Sequence, residues 1–168
     1  MVRDKKISCC FTGHRNIPED KYKEIRSLVR SEMYTLILLS GVRNFIAGGA
    51  LGFDTLCAEC VCEIKEEYPS LGIKLHLYLP CTDQTKNWRS KDISKYEEIK
   101  NHADSCIFVT NSEYTRDCMK KRNYRMVDDC AYCIAYFSGR TSGTSQTVNY
   151  ALKNNVVVIN LFKKIVFR

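Results

Sequence analysis

Six short apolar runs, separated by stretches of helical pattern, constrain this chain more than any other feature of it. The runs are Ile7–Thr12, Val42–Ala47, Ile73–Leu79, Ser105–Val109, Cys130–Phe137 and Val156–Leu161; helical patterns occupy Glu19–Ser40, Phe53–Tyr68, Ser90–His102, Tyr114–Val127 and Thr144–Asn154. Parallel strands need crossovers of this length, whereas antiparallel pairs are joined by tight hairpins. A sheet built that way carries helices on both faces, and continuous apolar strands such as Val156-Val157-Val158-Ile159 suit burial on both sides. The alternation predicts an α/β, Rossmann-like three-layer α/β/α sandwich with a mostly parallel sheet of about six strands. Punctuation agrees: Pro18 stands just ahead of the first helix, Gly41 just behind it, and Pro69 and Gly72 mark the exit of the second.

No repeat, low-complexity tract or linker divides the 168 residues, so a single domain over 1–168 is expected. The chain lacks an apolar run of about 18 residues, and Met1-Val2-Arg3-Asp4-Lys5-Lys6 is charged where a secretory core would be apolar; the reading is a soluble, cytoplasmic protein with no membrane partner. Ten cysteines invite a metal or disulfide reading. Cys57-x-x-Cys60-x-Cys62 falls inside a helix and Cys130-x-x-Cys133 inside an apolar run, whereas zinc knuckles place such pairs on turns. Free, mostly buried thiols in a reducing compartment are expected, with no metal site and no cofactor. The formal charge of +7 favours anionic partners, but most charges alternate in sign along solvated helix faces. Local excesses are confined to Arg116–Arg125, with Lys120, Lys121 and Arg122, and to Lys163, Lys164 and Arg168.

In an open parallel sheet, ligands bind outside the carboxyl ends of the strands. The loops expected to share that rim are Thr12–Arg15, Gly48–Gly52, Pro80–Arg89, Thr110–Thr115 and Ser138–Thr144. The second of these, in Ile46-Ala47-Gly48-Gly49-Ala50-Leu51-Gly52-Phe53-Asp54, has three glycines within five residues between a strand and a helix. Such a turn lets backbone N–H groups approach an anion at a helix N-terminus, though it also serves as a plain tight corner. Asp54 sits where a carboxylate favours the helix dipole, and it either caps the helix, holds the loop or bonds a ribose hydroxyl. Glu59, a turn later, reads as an exposed helix carboxylate or a pocket acid.

Thr12-Gly13-His14-Arg15 sets a hydroxyl, a flexible backbone, an imidazole and a guanidinium directly after the first strand, a combination suited to phosphate or carboxylate. Trp88, the single tryptophan, lies in a polar loop, where it stacks on a base or anchors the loop. Ser138-Gly139-Arg140-Thr141-Ser142-Gly143-Thr144 is a second glycine-bearing strand-to-helix turn, followed by Thr147, and two such turns on one rim favour a phosphate-containing ligand. Neither a Walker-type phosphate loop nor a Gly-x-Ser-x-Gly elbow occurs, which removes support for nucleotide hydrolysis and serine hydrolase chemistry.

Five motifs in this order, Cys10-Phe-Thr-Gly-His-Arg15, Ile46-Ala-Gly-Gly-Ala-Leu-Gly-Phe-Asp54 with Ala58-Glu59, Lys86-Asn-Trp88, Arg122-Asn-x-x-Met126-Val-Asp128 and Gly143-Thr144-x-x-Thr147, resemble the YpsA-like branch of the SLOG superfamily over nearly the whole chain. That superfamily gathers Rossmann-like domains related to the DNA-processing protein DprA and to LOG phosphoribohydrolases. The resemblance implies a nucleotide-derived ligand at the glycine rim, of the ADP-ribose type sensed by related domains, and pairing into a homodimer through helices beside the rim. LOG enzymes carry Met-x-x-Arg-Lys-x-x-Met on one helix and a Pro-Gly-Gly-x-Gly-Thr-x-x-Glu loop, whose Arg and Glu serve N-glycosidic cleavage. Here Met119-Lys-Lys-Arg122-Asn123-Tyr-Arg-Met126 retains the Arg, whereas Thr147 stands where the Glu belongs. A general acid or base is therefore missing at that position, and binding or sensing is favoured over catalysis.

The expected ligand-binding set is Thr12, Gly13, His14, Arg15, Gly48, Gly49, Ala50, Gly52, Asp54, Trp88, Arg122, Gly143, Thr144 and Thr147, with no catalytic residue assigned. The alternatives are a nucleotide N-glycosidase using Asp54, Glu59 or Asp128, and DprA-like binding of single-stranded DNA by the Arg116–Arg125 and C-terminal basic residues.

Overall fold

A computed structural model describes residues 4–165; Arg168 and the first three residues of the charged N-terminal stretch lie outside the described residues. Six strands form one sheet: β1 (Ser8–Gly13), β2 (Asn44–Ala47), β3 (Lys74–Leu79), β4 (Ser105–Phe108), β5 (Tyr132–Tyr136) and β6 (Val157–Asn160). Between them run α1 (Tyr22–Leu39), α2 (Phe53–Glu67), α3 (Ser90–His102), α4 (Cys118–Asp128) and α5 (Gly143–Lys153). The sheet order is β4-β3-β2-β1-β5-β6 and every pairing is parallel. The expected alternation is present element for element, and the sheet is wholly rather than mostly parallel.

Alternation of side chains along each strand builds two cores. Cys9, Phe11, Phe45, Leu75 and Leu77 pack with Ile25, Val29 and Met33 of α1 and Phe53, Leu56 and Ile64 of α2, while Tyr96 and Ile99 of α3 close the same side. Cys10, Ile46, Tyr78 and Cys133 point the other way, onto Met126 and Val127 of α4 and Ala151 of α5. Phe11 and Phe45, on adjacent strands, stack at 5.9 Å. Each fully buried Phe, Leu or Ile here contributes about 1.5–3 kcal/mol relative to exposure.

This division follows from chain direction. From β1 to β4 the chain steps outward along one side, and right-handed crossovers put α1, α2 and α3 on one face. It then returns across the sheet to the other side of β1, so α4 and α5 fall on the opposite face. The strand order reverses between β1 and β5, where the loops leaving the two strands diverge and open a crevice.

Most expected elements are shorter than their sequence pattern, and at two of them the structure shows why. Residues 114–117 do not join α4, because the Asp83 carboxylate accepts from the Tyr114 N–H at 2.7 Å and ties that stretch to the loop after β3. Cys130 precedes β5 and donates its N–H to Val127 at 3.1 Å, finishing α4 instead of extending the strand. The thiols behave as small apolar core residues: Cys9, Cys10, Cys57, Cys60, Cys130 and Cys133 are all buried, whereas Cys106 is exposed. Burial pushes the Cys60 thiol up to about 12 and that of Cys62 up to about 11, so both stay protonated near neutrality. Among the described residues, no helix is long and apolar enough to cross a membrane.

Candidate functional site

The crevice between β1 and β5 holds a cavity of about 300 Å³. Its walls come from Thr12–Arg15 at the end of β1 and just beyond it, from Gly48, Ala50, Leu51 and Asp54 after β2, from the inward face of α4, and from Ser142–Thr144 at the start of α5. A larger depression of about 750 Å³ runs along the outside of α1, but it is lined by residues of that one helix alone and gathers no loop from the rim. Convergent polar groups and the switch point of the sheet single out the smaller cavity.

Gly48 is held from two directions. Its N–H donates to the Asp54 carboxylate, at 2.9 Å to Oδ2 and 3.2 Å to Oδ1, while its carbonyl accepts from the Arg122 guanidinium. Ala50 N–H also donates to Asp54 Oδ2 at 2.8 Å. Asp54 is thus the staple of the glycine turn, the loop-holding role among those the sequence left open; Gly52, not Asp54, occupies the N-cap position of α2. Asp54 and Arg122 are 7% and 4% exposed and grip the two peptide groups that flank the Gly48 Cα, without an ion pair between them. Burial pushes the Asp54 carboxyl above its ordinary range, against the pull of Arg122 and the two N–H groups. Burial likewise draws Arg122 below its usual value, with Asp54 opposing. Both shifts reflect the cost of removing charge from water, which the charge partner offsets only in part.

Two glycines are required by close approach. A Cβ on Gly48 would run into the Arg122 guanidinium, and one on Gly52, at φ +82°, would run into the backbone carbonyl of Arg15. The second contact binds the loops after β1 and β2 together, alongside a hydrogen bond from Phe53 N–H to His14 O at 3.2 Å. Arg122 itself is aimed by Asn123, whose Oδ1 accepts from Nε at 2.7 Å, and by the Met119 sulfur, 3.7 Å from Nη2, while Met126 lines the same cavity.

The α5 end is arranged differently. Ser142 and Ser145 form a reciprocal capping box, Ser145 N–H to Ser142 Oγ at 3.2 Å and Ser142 N–H to Ser145 Oγ at 2.8 Å. Gly143 and Thr144 line the cavity with first-turn N–H groups that have no acceptor within the helix. His14 connects this turn to β1: its Nε2 accepts from the Ser138 N–H at 2.9 Å and lies 3.0 Å from Ser138 Oγ. That acceptor role requires a neutral ring with the proton on Nδ1. Burial and then Arg140 lower the His14 pKa, in keeping with the neutral form.

The structure gathers Thr12, Gly13, His14, Arg15, Gly48, Ala50, Asp54, Arg122, Gly143 and Thr144 around one cavity. Gly49 and Gly52, at φ +69° and +82°, shape the turn behind it. Trp88 and Thr147 are not brought to it. Trp88 packs edge-on against Tyr96 at 5.6 Å and anchors its loop, and Thr147 turns its hydroxyl back onto Gly143 O at 2.9 Å. Glu59 pairs with Lys95 at 3.4 Å, away from the cavity. Met119, Asn123, Met126 and Ser142 belong to the lining but not to the expected set; the spacing of Met119, Arg122 and Met126 along one helical face was the signal for the first and third. Of the five expected rim loops, those after β3 and β4 join to each other, Thr82 N–H to Ser112 O at 3.1 Å, and only Gln84 reaches the glycine turn, at Gly49 O.

The YpsA family model, described as the YspA SLOG family, matches residues 9–159 and takes in every wall of this cavity. The chain belongs to that family. Among its relatives, the SPbeta prophage-derived protein YoqJ of Bacillus subtilis (strain 168) is 33% identical over 129 residues, covering 70% of this chain and 74% of YoqJ. A UPF0398 protein of Bacillus cereus (strain G9842) is 28% identical over 115 residues, 68% of this chain and 61% of the relative. Among solved structures, DNA processing protein A from Streptococcus pneumoniae superposes with a TM-score of 0.64 at 14% identity, covering 90% of this SLOG chain and 48% of DprA. DprA from Helicobacter pylori, solved for its single-stranded DNA binding mode, gives 0.64 at 15% identity over 92% of this chain and 64% of that one. At such identities the DprA likeness shows the Rossmann-like fold, and this SLOG chain spans about half to two thirds of those longer proteins.

Proposed function

We propose that this SLOG domain binds a nucleotide or nucleotide-derived small molecule of the ADP-ribose type, with a phosphate on the Gly143–Thr144 end of α5. The observation that carries the reading is the division of labour between the two glycine turns. N–H groups of Gly48 and Ala50 are engaged by Asp54, whereas those of Gly143 and Thr144 begin a helix at the cavity wall, where the dipole favours an anion. Arg15, exposed on the same wall, adds a cation, and Thr12 and Thr144 add hydroxyls.

Binding is favoured over N-glycosidic cleavage. Asp54 is the sole carboxylate in the cavity lining, and it is committed to the turn; Thr147 provides no acid and faces its own helix. Three of the four cations of α4 give little support to a DprA-like surface for single-stranded DNA: Arg122 is buried, Lys121 pairs with Asp117 at 3.0 Å and Arg125 with Asp129 at 3.2 Å, which leaves Lys120 as the exposed cation of that helix without an ion pair among the described residues. Differential scanning fluorimetry against mononucleotides, cyclic dinucleotides and ADP-ribose tests the reading. A ligand at 100 times its Kd stabilises the fold by about 2.7 kcal/mol, and Thr144→Asp should abolish that shift while leaving the unliganded protein folded, within about 1 kcal/mol of its original stability. A flat response to the whole panel would refute it.

A further inference from the structure

A second cavity, of about 520 Å³, adjoins the first, with Arg15 and Leu51 forming part of both walls. It opens between the loop after β1, the start of α2 and the start of α3, and its lining adds Tyr22, Arg89, Lys91 and Lys95. Four cations therefore meet there against one lining carboxylate, Asp92. Asp92 pairs with Arg89 at 3.0 Å, and Lys95 is held by Glu59 at 3.4 Å and Glu98 at 3.2 Å. Arg15 and Lys91 make no ion pair among the described residues. Tyr22, 38% exposed, supplies an aromatic surface on the same wall.

We propose that this cavity is a second anion subsite, and that the ligand is a dinucleotide-type small molecule whose two phosphate-bearing halves occupy the two cavities with Arg15 between them. The inference rests on the nucleotide reading of the first cavity and adds to it the class of ligand. Each cavity alone accommodates one compact group, and both volumes lie within or near the range of small-molecule sites. Two cations without counter-carboxylates on one wall favour an anion, and the Tyr22 ring gives a base a face to stack on. The bounded volume favours a small molecule over a polymer, whose track would continue past both ends.

Isothermal titration calorimetry on the full chain compares adenosine 5′-monophosphate, the 5′-phosphorylated diadenosine pApA and an oligodeoxythymidylate of about 20 nucleotides. Joining two halves that each find a subsite makes pApA bind about tenfold or more tightly than the mononucleotide. Lys91→Glu, at an exposed position confined to the second cavity, removes that advantage and leaves the mononucleotide affinity unchanged. Equal affinities for the two ligands, or an equal loss of both in Lys91→Glu, would overturn the second subsite while the nucleotide reading stands. Binding of neither would overturn the two-cavity dinucleotide assignment, and a flat response to ADP-ribose and cyclic dinucleotides as well would overturn the nucleotide reading with it. An affinity that keeps rising from pApA to the oligonucleotide would replace the small-molecule assignment with a nucleic-acid groove.

Discussion

The turns after β2 and before α5 carry the same sequence signal, glycine between a strand and a helix, yet the folded chain uses them in opposite ways. The first is closed on itself. Asp54 takes two of its N–H groups, Arg122 takes the Gly48 carbonyl, and Gly52 is wedged against the backbone of Arg15. The second is open: a Cβ on Gly143 would meet nothing within 4 Å, and its helix is capped by Ser142 and Ser145 from below. A glycine-rich turn is therefore either a corner or a cradle, depending on whether the chain supplies its own anion.

Substitution of the glycines should separate the two turns most strongly. Gly52→Ala combines a left-handed φ with overlap of a fixed backbone carbonyl, so a loss of about 3 kcal/mol or more is expected in urea unfolding. Gly143→Ala has room and ordinary helical geometry, and should change stability by less than about 1 kcal/mol. Similar losses in both would mean that the turns are not distinguished by packing. The next effect is at the staple. Asp54→Ala leaves Arg122 buried without its nearest opposing charge and strips an acceptor from two N–H groups, for an expected cost of about 2–4 kcal/mol. Full stability in that variant would show that the turn holds without its carboxylate.

A smaller effect is expected with pH, and it lies on the α5 side. The folded His14 pKa is below its unfolded value, so its contribution is present above about 6.5 and is lost as the pH falls from there toward the folded value. Chemical denaturation at several pH values should show that decline, and His14→Asn should flatten it. Asp54, whose folded pKa is raised, acts with the opposite sign: its contribution weakens as the pH rises from the unfolded carboxyl value through the folded one. The smallest change concerns the helix end itself. Thr144→Asp puts a carboxylate in the first turn of α5 at a position 8% exposed, where the favourable dipole offsets part of the cost of burying the charge, so a net change of less than about 1 kcal/mol is expected while an anionic ligand is excluded.

Much of this was legible in the residues. The order of strands and helices, the parallel pairing and the two-sided burial of the cysteines follow from periodicities that act over a few residues, and so do not depend on distant partners. The His14 and Gly48 loops were legible as rim loops because an open parallel sheet places strand ends on one side. Local pattern did not reveal Trp88 turning onto Tyr96, or Tyr114 being held out of α4 by Asp83, since each is decided by a contact between a loop and another element and not by the periodicity of either. Nor did it separate the two glycine turns. Their sequences specify backbone freedom and a helix start, and those are local properties. Whether the N–H groups remain available was settled by how Asp54 folds back over its own turn and by the return of the chain across the sheet, which brings Arg122 within reach of Gly48, 74 residues away. Such contacts join residues that share no local pattern, so it took the tertiary structure to make one turn a closed corner and leave the other facing the cavity.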